Sequence, residues 1–197
     1  MLLYAIIYTI LTLFLPQKAR YFLFILVFFN LNISIISAQN LPKIPQQFNP
    51  EIVADYALYD SSILQIISYT EKNRANTNDI SQKQAIAFAL QWLAGSPNVN
   101  ITVEEAFMIP ILKHKKLAYS NEMLVQYMFG MTKIILQNKE KAPTEKAIQA
   151  AGIRNMIYFY EDLNCKPRVK LLRKYKRLEK RNKLEKWIDK KLSNSKK

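Results

Sequence analysis

Residues 80–94 read ISQKQAIAFALQWLA. Between Ala85 and Ala94 only Gln91 is polar, and Ile86, Phe88, Leu90, Trp92 and Leu93 point around most of a helical circumference. That is the pattern of a helix with neighbours on several sides. Gly95 and Pro97 end it, the first as a C-terminal cap and the second because proline cannot continue a helix. Glycine occurs only at 95, 130 and 152, while Ala, Leu, Ile, Lys and Glu are plentiful. Tight turns and phosphate-cradling loops are therefore scarce, and composition favours helices. The expected fold is all-α, a compact bundle of five or six helices packed around residues 80–94.

Outward from this segment, residues 71–79 (EKNRANTND) form a polar loop, and a helix is expected over 50–70. Pro50 suits its first turn and Asn49 its cap. Ile52, Tyr56, Tyr59, Ile63, Ile66 and Ile67 give it one apolar face. Residues 39–49 (QNLPKIPQQFN) read as an extended lead. On the other side, Thr102 and Glu105 fit a capping box, although residues 99–103 also suit a short strand. A helix over 103–117 follows, kinked or split by Pro110. Ser120 is positioned to cap a helix over 121–137 with Met123, Tyr127, Met131, Ile134 and Ile135 inward, and Pro143 to open another that runs to 163. Ala150, Ala151 and Gly152 on that last helix permit unusually close approach of a neighbour.

Residues 164–197 make a basic helical tail. Leu171, Leu172, Tyr175 and Leu178 form one stripe, and Leu184, Trp187, Ile188 and Leu192 another, out of register with the first. Two helices, or one bent near Arg181, are expected. The single-domain body therefore spans 50–163, with the tail after it.

At the other end, Lys18 and Arg20 precede an apolar run over 21–36 and the small-residue site Ser37-Ala38-Gln39. That order is the order of a signal peptide. Residues 1–38 are thus a signal peptide, or else a membrane anchor, since the run lies at the lower length limit of a spanning helix. A second apolar run over 2–15, ended by Pro16, leaves two alternatives: translation beginning nearer Lys18, or an uncleaved hairpin. The expected address is periplasmic or secreted, with inner-membrane anchoring as the alternative.

The net charge of +14 is unevenly spread. Residues 39–162 carry 12 Lys/Arg and 12 Asp/Glu, whereas residues 163–197 carry 15 against 3. A basic tail with apolar stripes suits an anionic membrane surface, lipopolysaccharide phosphates or an acidic protein partner. Its candidate contact residues are Arg168, Lys170, Arg173, Lys174, Lys176, Arg177, Lys180 and Arg181, with Trp187 at the boundary. The competing reading is that the stripes pack on the body and the lysines solvate the outer face. No nucleic-acid-binding motif accompanies the charge, and export removes the usual ligand.

Catalytic signals are sparse. His114 is the one histidine, and Glu104-Glu105 and Glu161-Asp162 are adjacent pairs. Neighbouring helical positions diverge by about 100°, so neither pair converges on one bond. Met108, Met123, Met128 and Met131 are thioethers of the kind that bind soft copper, but methionine is also an ordinary core filler. Cys165 is the one cysteine, so no internal disulfide forms, and in an exported protein it invites pairing between molecules. No cofactor is called for.

The segments FALQWLAGSPNVNITV, YMFGMTKIILQNK, the helix ending IYFYEDL, and KLEKWIDKKL together resemble uncharacterised small exported helical proteins of the Bacteroidetes, over residues 80–192. The resemblance implies a helical fold and an export route, and carries no activity. The functional expectation is a non-enzymatic exported domain of the cell envelope with a binding or structural role. The alternative is a hydrolytic or other enzyme with a site assembled around His114 and acidic residues.

Overall fold

The computed structural model describes residues 51–164 and 169–195, together with Pro42, Ile44, Phe48 and Asn49. The expected signal or anchor segment, most of the lead, Cys165 and Arg168 lie outside the described residues. Among those described there are eight helices and no strand. They are α1 (Val53–Leu58), α2 (Asp60–Lys72), α3 (Ile80–Gly95), α4 (Glu105–Leu112), α5 (Ser120–Gln137), α6 (Glu145–Asp162), α7 (Lys170–Lys180) and α8 (Leu184–Ser195). The all-α expectation holds, and residues 99–103 are a connection without regular secondary structure.

The centre of the bundle is α5, not the 80–94 helix. Met123, Tyr127 and Met131 of α5 enter one core with Phe107 of α4 and Ile153 of α6. Phe129 and Leu136, on another side of α5, enter a second core with Ile63 and Ile66 of α2 and Phe88 and Trp92 of α3. Helix α3 is instead a wall of that second core. Trp92 is fully buried, but Ile80 is 73% exposed and Ile86 and Leu90 only half-buried. An apolar circumference shows that a helix can bury every side; it does not say how many neighbours arrive.

What lets α5 serve two cores is its contact with α6. A Cβ on Gly130 would lie 2.5 Å from the backbone oxygen of Ala151, and one on Gly152 would lie 2.7 Å from Cδ2 of Tyr127. Only hydrogen fits at either place, so the expected close approach at Ala150-Ala151-Gly152 is observed. Buried polar groups fix the pair further. Asn155 Nδ2 donates to the backbone oxygen of Gln126 at 2.9 Å, and the Tyr127 hydroxyl donates to Gln149 Oε1. Gln149 Nε2 in turn donates to the Thr102 carbonyl at 2.8 Å. Burial raises the Tyr127 phenol well above the usual tyrosine range, so it stays a neutral donor.

Several local expectations change. The helix expected over 50–70 breaks at Tyr59, whose N–H turns back to the Tyr56 carbonyl at 3.1 Å. Phe48 from the lead meets both Tyr56 and Tyr59 edge-on at 5.2 Å. Asn49 caps the turn before α1 rather than the helix, accepting from the N–H of Glu51 at 3.0 Å. Thr102 and Glu105 form no capping box, because that box requires a helix starting at Val103 and α4 starts two residues later, at Glu105 after Glu104. Ser120 does not cap α5 either. Tyr119 precedes the helix in a left-handed conformation, φ 62°. Pro143 lies just ahead of α6, which begins after Thr144. The helix expected over 103–117 ends at Leu112, two residues past Pro110. The strongest cap was not read from the sequence: Asp79 Oδ1 accepts from the backbone N–H groups of Ser81 at 2.8 Å and Gln82 at 3.1 Å.

Candidate anionic-surface site

The tail is two helices, as the stripes implied. α7 ends at Lys180, and Asn182 takes the left-handed conformation (φ 53°) that turns the chain into α8. Its N–H donates to the Glu179 carbonyl at 2.9 Å. The apolar stripes are not free. Leu172, Tyr175, Leu184 and Ile188 are buried in the first core, with Leu171, Leu178, Trp187 and Leu192 half-buried against it. The Tyr175 hydroxyl donates to the Phe107 carbonyl at 3.2 Å, and burial raises that phenol above the usual range too.

Two further ties hold α7 to the body. Arg154 of α6 donates from Nε to Glu179 at 2.7 Å and from Nη2 to Glu185 at 3.2 Å. Burial lowers the pKa of Arg154, but these two carboxylates outweigh it and leave the guanidinium above its ordinary value. Lys176 pairs with Glu161 of α6.

At 100° per residue, these ties and the apolar residues occupy one side of α7, while Lys170, Arg173, Lys174 and Arg177 fall within an arc of about 100° on the other. The four line a shallow depression of about 420 Å³ with no carboxylate in its wall. Lys180 and Arg181 stand exposed at the end of the same helix, where cations oppose its negative pole. Two of the tail's own acids, Glu179 and Glu185, are turned toward Arg154 and away from this face. Among the described residues of the tail, Lys176 is the one cation within ion-pair reach of a carboxylate. Like charges three and four residues apart cost a helix roughly 0.2–0.5 kcal/mol per pair. An external anion relieves that repulsion.

Trp187 belongs to the packing. Its ring centroid lies 5.6 Å from that of Phe107 and 5.5 Å from that of Tyr175. Lys174 Nζ sits 4.5 Å over its outer side, a cation–π contact that fixes one corner of the basic face. The sequence-predicted residues therefore separate. Lys170, Arg173, Lys174 and Arg177 share one surface, Lys180 and Arg181 flank it, Lys176 is an ion-pair tie and Trp187 a packing residue.

The other candidates do not converge. His114 lies in the turn after α4, its Nδ1 buried without a hydrogen-bond partner. Glu161 is engaged by Lys176 and Asp162 by Arg74 at 3.1 Å. Met108, Met123 and Met131 are fully buried fillers of the first core, with Met128 packed beside them. Arg154, which turns the tail's acids inward, was missed. Its signal was the one arginine of the 143–163 helix, set among apolar residues. No helix among the described residues is long and apolar enough to cross a membrane. Comparison with protein-family models, curated proteins and solved structures gave no match.

Proposed function

We propose that this protein is an exported, non-enzymatic helical module of the cell envelope that holds a phosphate-bearing lipid surface against the basic face of α7. The observation that carries the reading is the set Lys170, Arg173, Lys174 and Arg177 around one depression, on a helix whose opposite side is locked to the body. Because the tail's apolar stripes are spent on packing, attachment is electrostatic and superficial. The sequence of Lys18 and Arg20, an apolar run and Ser37-Ala38-Gln39 supports export. So does the resemblance to small exported proteins of the Bacteroidetes.

Phospholipid head groups and lipopolysaccharide share the phosphate chemistry, so both belong in the test. The full chain and its K170Q/R173Q/K174Q/R177Q variant are sedimented with vesicles of phosphatidylglycerol, of lipopolysaccharide, or of phosphatidylcholine alone. The apolar N-terminal run is common to both proteins, so their difference reads the α7 face. Each basic residue near an anionic surface contributes about 1 kcal/mol. The four together amount to about 4 kcal/mol, so the variant should partition roughly a thousandfold less onto the anionic vesicles, with the gap closing at high salt. Equal partition of the two proteins would sink the proposal. Export has its own readout. The native protein should begin near Gln39, and an intact N-terminus in the membrane fraction would replace secretion by anchoring.

A further inference from the structure

The first side of α3 is buried against α2, and its second faces a groove that separates it from α5. Gln82, Ile86 and Leu90 line the groove from α3, Val125 and Gln126 from α5, and Phe159 of α6 lies beneath. The cavity is about 280 Å³, roughly twice the ~150 Å³ apolar cavity that admits benzene. Its wall is mostly apolar, and Thr77, Asn121 and the two buried amides Gln82 and Gln126 supply its uncharged polar groups. Gln82 is buried, and its Oε1 has no hydrogen-bond partner. A buried oxygen without a donor is costly, and native proteins leave few of them. Gln126 Oε1 already accepts from Asn155 Nδ2 at 3.0 Å, so Gln82 Oε1 is the groove's buried acceptor with no donor. The rim carries one charge of each sign, Lys83 and Glu122, both exposed.

A ligand complementary to these features is uncharged, has an apolar body of roughly ten to twelve carbon atoms, and ends in a group that can donate to Gln82 Oε1. We propose that the groove binds a single-chain amphiphile with a terminal hydroxyl, the chain lying along Ile86, Leu90, Val125 and Phe159. The inference is independent of the α7 face, which uses other residues and charge alone.

Decan-1-ol and 1-methoxynonane make the deciding pair of probes, since they match in size and the ether has no proton to donate. Each is titrated into the full-length protein while the methyl resonances of Ile86 and Val125 are followed. The alcohol should shift both saturably and bind roughly tenfold more tightly than the ether, the worth of one buried hydrogen bond. Gln82→Leu, which replaces the unpartnered amide by an apolar side chain of similar shape, should abolish that preference while leaving the fold intact. Ala87→Trp, at an exposed position on the groove wall, should block both probes. Equal affinity for alcohol and ether in the unaltered protein overturns the proposal, as does alcohol binding that survives Ala87→Trp. Methyl shifts that follow protein concentration rather than probe would make the groove a contact between two copies of the chain, and would also overturn it.

Discussion

Trp92→Ala is expected to lower the free energy of unfolding by roughly 3–5 kcal/mol. The indole is fully buried in the second core, 6.4 Å between ring centroids from Tyr56. Its Nε1 donates to the Tyr56 carbonyl at 3.0 Å, across the helices α1 and α3. Removing the ring leaves a cavity whose walls belong to separate helices, so collapse is only partial and the cavity cost adds to the lost transfer energy. Trp92→Phe separates the two contributions. It keeps most of the packing and gives up the hydrogen bond, so its cost should be about 1–3 kcal/mol. Denaturant unfolding of the three proteins measures both numbers. A change below about 0.5 kcal/mol for the alanine variant would show that α3 is not a core wall.

The fold class was legible because helical periodicity is a local property. α3 ended where Gly95 and Pro97 placed its end, although Gly95 is its last helical residue and Ser96, in extended backbone, is the cap. The out-of-register stripes at Leu178 and Leu184 located the break between α7 and α8. What local pattern does not carry is the number of neighbours a helix meets. Residues 80–94 looked central because they are apolar almost all round, yet one apolar side of that helix lines a groove. Conversely α5 carries Asn121, Glu122, Gln126 and Thr132 among its apolar residues, which disguised a helix facing two cores. Its role depends on Gly130 meeting Gly152, and those positions are 22 residues apart. The caps at Thr102 and Ser120 failed for a related reason. Several backbone conformations can start a helix, and tertiary contacts such as Gln149 Nε2 on the Thr102 carbonyl choose among them.

The candidate site was half legible. Fifteen basic residues in 163–197 announced a charged surface, but not which side chains face together. That depends on Glu179 and Glu185 reaching Arg154 and on Lys176 reaching Glu161. Once those are spent on holding the helix, Lys170, Arg173, Lys174 and Arg177 are left together on the outer side. Trp187 was placed at a membrane boundary by its position in an amphipathic stripe. The same stripe is equally suited to a protein core, and Phe107 and Tyr175 supply one.

The central claim is that the basic tail is part of the folded body and only its charge is displayed, and a chain ending at Leu163 tests it most directly. Truncation strips Val169, Leu172, Tyr175, Leu184 and Ile188 from the first core and uncovers Phe107. At roughly 1.5–3 kcal/mol for each fully buried large side chain, the loss is comparable to the entire stability of a domain, about 5–15 kcal/mol. It also leaves Arg154 without Glu179 and Glu185, and the Phe107 carbonyl without the Tyr175 hydroxyl. The measurement is thermal unfolding by circular dichroism of the full and truncated chains, both with the same N-terminal run. The full chain should melt in one cooperative transition, and the truncated chain should show none. A truncated chain that melts cooperatively within a few degrees of the full one would contradict the account and make the tail a detachable arm.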